Sequence, residues 1–199
     1  MMNAPISRRH MLVACAVLAA VPSAFAQEAT EQPSRRFMME DAATGNVVDD
    51  DIMLGKVSLL YFGYTHCPDI CPTSLVQMAD VMKAMGDDAK KVQPIFVTVD
   101  PARDTSAVMR EYVKSFDARI VALRGPAPYT DAMVKAHKAQ YEIQKPGGDD
   151  PLLYTVDHTA SIAMVGANGA LLKRFPYGIA TAEMTAAVQA AVKAIPAAP

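Results

Sequence analysis

The sequence predicts an α/β sandwich, a central sheet layered between helices. Three observations carry this. Residues 56–64 and 92–100 are near-continuous apolar runs, which fit strands covered on both faces. Segments with apolar residues at helical spacing follow them. Near the end, Asn168-Gly169 separates two strand-like stretches, a strong short hairpin signal, and a further helical segment closes the chain.

Taken in order, residues 36–53 read as a strand, a turn at Thr44-Gly45-Asn46 and a short return strand. On the first strand the neighbours Met38 and Met39 should face opposite sides. After the apolar run at 56–64, residues 71–88 carry Leu75, Met78, Ala79, Met82 and Met85 on one helical face. Pro72 suits the first turn of that helix, where its missing N–H costs nothing. The second central strand at 92–100 leads to a helix at 105–116, with Asp104 as its expected N-cap. A short strand at 119–125 and a helix at 129–141 follow. Residues 142–157, with Gly147-Gly148-Asp149-Asp150, read as a long irregular excursion. The hairpin of 159–166 and 170–177 and a helix at 181–194 complete the fold, and the alanine- and proline-rich end from 191 should fray. This order is that of a thioredoxin-like three-layer sandwich with an N-terminal β-hairpin and a long loop insertion before the late β-hairpin.

Composition bounds the rest. The 199 residues suit one domain, assigned to 36–195, after a loose polar lead-in at 27–35. Residues 1–26 read as a cleavable export signal: Arg8-Arg9, an apolar stretch, then Ala24-Phe25-Ala26, with cleavage after Ala26. The apolar stretch, about 15 residues, falls short of the ~20 a bilayer span needs, so membrane anchoring is disfavoured. Arg8-Arg9 with Met11-Leu12 also resembles a twin-arginine signal, and an ordinary secretory signal is the alternative. Leu12-Val13-Ala14-Cys15 looks like a lipidation box, but most of the apolar stretch follows Cys15 rather than preceding it. A periplasmic protein is therefore expected, in a compartment where disulfides persist. The formal net charge of −2, with no basic run, argues against nucleic acid. Removing residues 1–26 removes two arginines and no acid, which leaves the mature chain at −4.

The mature chain keeps two cysteines, Cys67 and Cys71, in "THCPDIC". They lie where the first central strand runs into its helix, the end at which open α/β sheets build sites. An offset of four residues lets both sulfurs share a helix face. The helix N-terminus favours thiolates there, so both should ionise readily. A structural disulfide is the plain alternative. Loop closure weakens it: a five-residue ring is worth about 2 kcal/mol against ~4.7 kcal/mol for a hundred-residue ring. Two thiolates also fall short of the four ligands of structural zinc. With one imidazole they suit Cu(I), and Cu(II) if further nitrogen or oxygen joins.

The imidazole is not fixed by spacing. His66 adjoins Cys67, but strand alternation points neighbours apart. His137 lies mid-helix between Lys135 and Lys138, as a solvated residue would. His158 ends the long excursion, where a mobile loop could deliver a third ligand, and spacing leaves that open. Met78, Met82 and Met85 could form a copper-binding stripe, but packing under the sheet explains them better.

Three segments, "YFGYTHCPDICPTSL" (61–75), "FVTVDPARDT" (96–105) and "VDHTASI" (156–162), together resemble the Sco/SenC proteins. These are copper-binding, thioredoxin-fold factors for assembly of the CuA centre of cytochrome c oxidase. The resemblance implies that Cys67 and Cys71 are thiolate ligands and that His158 is the imidazole ligand. It puts Asp100 near the metal, outside the ligand set or as an occasional ligand. Many members keep an N-terminal membrane helix, from which the expected cleavable signal departs.

Three functions compete. The first is a periplasmic copper metallochaperone serving the oxidase subunit that carries CuA, acting as a monomer. Its other partners would be a second copper chaperone or a thioredoxin-like reductant. The second is a thiol–disulfide oxidoreductase with Cys67 and Cys71 catalytic. Its general catalysts use two intervening residues and a cis-proline where His158-Thr159 stands. The third is a peroxidase, since Cys71-Pro72-Thr73 resembles a peroxidatic context, but Pro68 replaces the threonine expected three residues earlier. Whether the chain is an enzyme stays open between the first two.

Overall fold

The computed structural model describes residues 37–145 and 153–196. The expected signal, the lead-in up to residue 36, the Gly147-Gly148-Asp149-Asp150 stretch and the last three residues lie outside the described residues. Among the described residues no helix is long and apolar enough to cross a membrane.

Strands β1 (Met38–Asp41) and β2 (Val47–Asp49) form the N-terminal hairpin. Gly45 takes φ +73 in its turn, a conformation that L side chains rarely adopt. Met39 is buried and Met38 is half exposed, as alternation requires. β3 (Val57–Gly63) is buried at every position. It leads into α1 (Ile70–Ala84), whose Leu75, Met78 and Met82 face the core. The methionine stripe is thus packing. Then come β4 (Val92–Thr98), α2 (Ser106–Lys114), β5 (Val121–Arg124) and α3 (Ala127–Ala136). After them stand β6 (Tyr141–Gln144), β7 (Thr155–His158), β8 (Ile162–Val165), β9 (Leu171–Phe175) and α4 (Thr181–Lys193).

Seven strands make one sheet in the order β2-β1-β5-β4-β3-β8-β9. β3, β4 and β5 are parallel at its centre, and β1, β8 and β9 join antiparallel. Tyr61 and Phe96 are register partners and stack on the face where Tyr112 of α2 and Cys71 of α1 meet them. α4 packs beside α1. Phe62 points the other way and meets His137 at the end of α3. Helices on both faces give the three layers expected.

Two expectations change. The excursion is not wholly irregular: β6 and β7 pair antiparallel as a separate two-stranded ribbon, so His158 sits in a strand opposite Tyr141. Tyr141-Glu142-Ile143-Gln144 does alternate apolar and polar, but over only four residues, three of them exposed, directly after a segment read as helix up to Tyr141. His137 is buried, not solvated. The helix stops at Ala136, and Lys138 adopts φ 52, which reverses the chain and turns the imidazole onto Phe62. Its Nδ1 lies 2.8 Å from the Met133 carbonyl, and burial holds its pKa below the ordinary value.

Candidate metal centre

The centre grows from the end of β3. A Cβ on Gly63 would lie 2.6 Å from the Cys71 Sγ and 3.1 Å from both the Phe96 and the Tyr61 ring, so only glycine leaves room for that sulfur. The chain then turns, with the Cys67 N–H donating to the Tyr64 carbonyl at 3.2 Å, and enters α1. Asp104 holds this turn. Its buried carboxylate accepts the Thr65 N–H at 3.1 and 3.2 Å and the hydroxyls of Thr65 and Thr98, both at 2.6 Å. Asp104 was expected to cap α2. Thr105 does so instead, accepting from the Val108 N–H at 3.3 Å. A carboxylate offered three interior donors is worth more there than at an exposed cap.

Cys67 and Cys71 are free thiols, 8% and 0% exposed. The expectation that both ionise readily fails for Cys71. Burial pushes its thiol far above the ordinary value, and the Tyr64 backbone amide only partly opposes this. The helix N-terminus is outweighed because the sulfur has no water around it. Tyr61 lies beneath, its hydroxyl 3.9 Å from the Cys71 Sγ, and burial raises that phenol as well.

His158 comes from 87 residues further along and puts its Nε2 3.3 Å from the Cys71 Sγ. Its Nδ1 lies 3.4 Å from the Thr159 carbonyl; with the proton on that nitrogen, the Nε2 lone pair is presented to the sulfurs. Burial lowers the imidazole pKa, so the ring is neutral near pH 7. Tyr61 and Tyr64 clamp it edge-on, with centroids at 5.9 and 5.8 Å. The donor atoms of Cys67, Cys71 and His158 all lie within 4.8 Å of one another. Among the described residues no other group of three His, Cys, Asp or Glu side chains could hold a metal ion.

Asp100, His66 and His137 stand outside that group. Asp100 is buried, accepts the Tyr154 hydroxyl at 2.6 Å and pairs with the Arg103 guanidinium. Arg103 lies over the Tyr154 ring at 3.6 Å and the Tyr64 ring at 5.5 Å, and donates to the Tyr154 carbonyl at 2.9 Å. The Val156 N–H reaches the Tyr64 hydroxyl at 3.4 Å. These contacts dock the β6–β7 ribbon on the ends of β3 and β4. Sequence reasoning missed Arg103, Tyr64, Tyr154 and Gly63, because what each does depends on tertiary contacts that spacing does not show. Only the clustering of Tyr64 and Arg103 beside the cysteine and aspartate motifs could have pointed to two of them.

With this geometry in view, the relatives are informative. Residues 26–193 match the SCO1/SenC family. The chain belongs to the SCO1/SenC family. It is 37% identical over 131 residues to a SCO2-like protein of Rickettsia felis, covering 66% of this chain and 63% of that protein. It is 39% identical over 116 residues to protein SenC of Rhodobacter capsulatus, covering 58% of this chain and 51% of that protein. The chain thus spans less than two thirds of the length of each of these curated relatives. Among solved structures, ScoI of Bradyrhizobium japonicum with copper bound aligns with a TM-score of 0.70 and 37% identity, over 78% of this chain and 96% of that one. Yeast Sco1 with copper bound aligns with a TM-score of 0.71 and 29% identity, over 81% and 89%.

Proposed function

We propose that this member of the SCO1/SenC family binds copper through Cys67, Cys71 and His158 and acts as a periplasmic metallochaperone for the CuA centre of cytochrome c oxidase. The observation that carries the reading is the convergence of two thiols and one imidazole, from two distant segments, within 4.8 Å. Two soft sulfurs and one nitrogen suit Cu(I) at low coordination number, and zinc would lack a fourth ligand. The copper-bound structures of the Bradyrhizobium japonicum and yeast proteins support the same choice of metal. Asp100 stays outside the ligand set and holds the ribbon through Tyr154 and Arg103. Binding releases the Cys71 proton, since that buried thiol is un-ionised at neutral pH. Copper leaves by ligand exchange, the partner's donors replacing those of the chain one at a time.

The periplasmic location rests on the export pattern at residues 1–26. The partner on this reading is the oxidase subunit carrying CuA, with a second copper chaperone or a thioredoxin-like reductant acting on the same sulfurs. Thiol–disulfide exchange is the alternative, because both cysteines are free and close. The raised Cys71 thiol disfavours it, since the thiolate is the nucleophile.

Titration of Cu(I) and Cu(II) into the mature protein, Cys71→Ala and His158→Ala tests the proposal. Tight binding by wild type alone is the expected result. Equal binding by His158→Ala removes that residue from the site, and many turnovers in reduction of a target disulfide favour the alternative.

A further inference from the structure

His158 is the most exposed of the three donors: it is half-buried, while Cys67 and Cys71 are buried. It also comes from a ribbon that pairs with no strand of the main sheet. Two rings hold it. Tyr61 is fully buried in β3 and stacked on Phe96, so it forms a fixed wall. Tyr64 lies one residue past the end of β3 and reaches the ribbon itself.

Tyr64 touches both halves of the site. Its carbonyl accepts the Cys67 N–H at 3.2 Å, and its amide is directed at the Cys71 sulfur. Its ring stands edge-on to the His158 imidazole, with 5.8 Å between centroids and 89° between planes. Its hydroxyl accepts the Val156 N–H at 3.4 Å, two residues before His158 in β7. β7 pairs only with β6, so that hydroxyl stands where a second neighbouring strand would. Arg103 lies over the same ring at 5.5 Å, also covers Tyr154 just before β7, and is paired with the buried Asp100. The Tyr64 side chain is therefore braced from the sheet end and meets the ribbon at two points.

We infer that Tyr64 is a positioning residue for copper binding, its ring and hydroxyl setting His158 against the two sulfurs. The inference rests on the copper reading of the Cys67–Cys71–His158 group and adds how the third donor is kept in place. The backbone of Tyr64 serves the cysteines and is retained when the residue becomes Leu or Phe. The side chain serves the histidine. Removing it should weaken the hold on the imidazole and leave both sulfurs where they are. Groups that orient a ligating imidazole are worth about 10- to 100-fold in metal affinity.

A double-mutant cycle isolates that effect. Cu(I) affinity is measured by competition with bathocuproine disulfonate for wild type, Tyr64→Leu, Tyr64→Phe, His158→Ala and the two double variants that carry His158→Ala. Tyr64→Leu should lower affinity by about tenfold when His158 is present and by less than about twofold when it is absent. Tyr64→Phe keeps the ring, loses only the bond to the Val156 N–H, and should cost about threefold, again only with His158 present. X-ray absorption of Cu(I)-loaded Tyr64→Leu should show a weaker imidazole contribution with both sulfurs retained, a pattern that general loosening of the fold would not give. Equal losses with and without His158, unchanged affinity in Tyr64→Leu, or loss of a sulfur in that variant each overturn the inference and leave the copper reading intact. If Tyr64→Leu does not fold, the same comparison on Tyr64→Phe decides. Failure of wild type to bind Cu(I) overturns the copper reading itself, and this inference with it.

Discussion

β3 and the β6–β7 ribbon both end at the candidate metal centre, but they are built on different terms. β3 is paired on both sides, by β4 and β8, and is buried at every position. The ribbon pairs only with itself and exposes most of its side chains. It is tied to the body near Tyr154, through Asp100, Arg103 and Tyr64, and at Tyr141, whose hydroxyl donates to Asp131 of α3 at 2.7 Å. The cysteine half of the site therefore inherits the rigidity of the core, whereas the histidine half depends on a few polar and aromatic contacts. A site so divided can hold its sulfurs fixed while the imidazole arrives and leaves.

Four changes would break or sharpen that contrast. Cys71→Ala should have the largest effect, weakening Cu(I) binding by more than about 1,000-fold in a chelator competition while the circular dichroism spectrum is retained. His158→Ala should cost less, about 100-fold, because both sulfurs stay preorganised. Tyr154→Phe deletes the hydroxyl that Asp100 accepts, and should lower affinity by about tenfold. In the same variant, hydrogen exchange should quicken at residues 141–144 and 155–158 and stay unchanged in β3, since locally docked elements open independently of the core. Equal acceleration in β3 would contradict the division into a rigid and a docked half.

The smallest effect concerns pH and lies at the opposite face of β3. Burial lowers the His137 pKa from its ordinary 6.5, so the folded state favours the neutral ring. The unfolded state then binds the proton first as pH falls. The stability this contributes is complete above pH 6.5 and is lost between there and the lowered folded value. Urea unfolding from pH 7.5 to 5 should show that loss, and His137→Gln should flatten part of it.

The same contrast explains what could be read in the sequence. The cysteine half is local: an apolar run, a turn and a helix with Pro72 in its first turn place both sulfurs within a few residues. Packing of Met78 and Met82 was legible for the same reason, since helical spacing reports a buried face. The histidine half is tertiary. β6 alternates apolar and polar over only four residues, too short a run to stand apart from a loop, and pairing with β7 defines it. Spacing alone left His158 open, and family resemblance pointed to it. The roles of Asp104 and His137 were misjudged because each depends on burial against residues far along the chain, and neither burial nor a reversed backbone at Lys138 leaves a periodic trace.

X-ray absorption at the copper edge of the Cu(I)-loaded protein tests the central claim most directly. Wild type should show two sulfur scatterers and one imidazole nitrogen. His158→Ala should lose the imidazole signal alone, and Cys71→Ala should lose one sulfur. A copper environment without sulfur, or an imidazole signal that survives in His158→Ala, would contradict it.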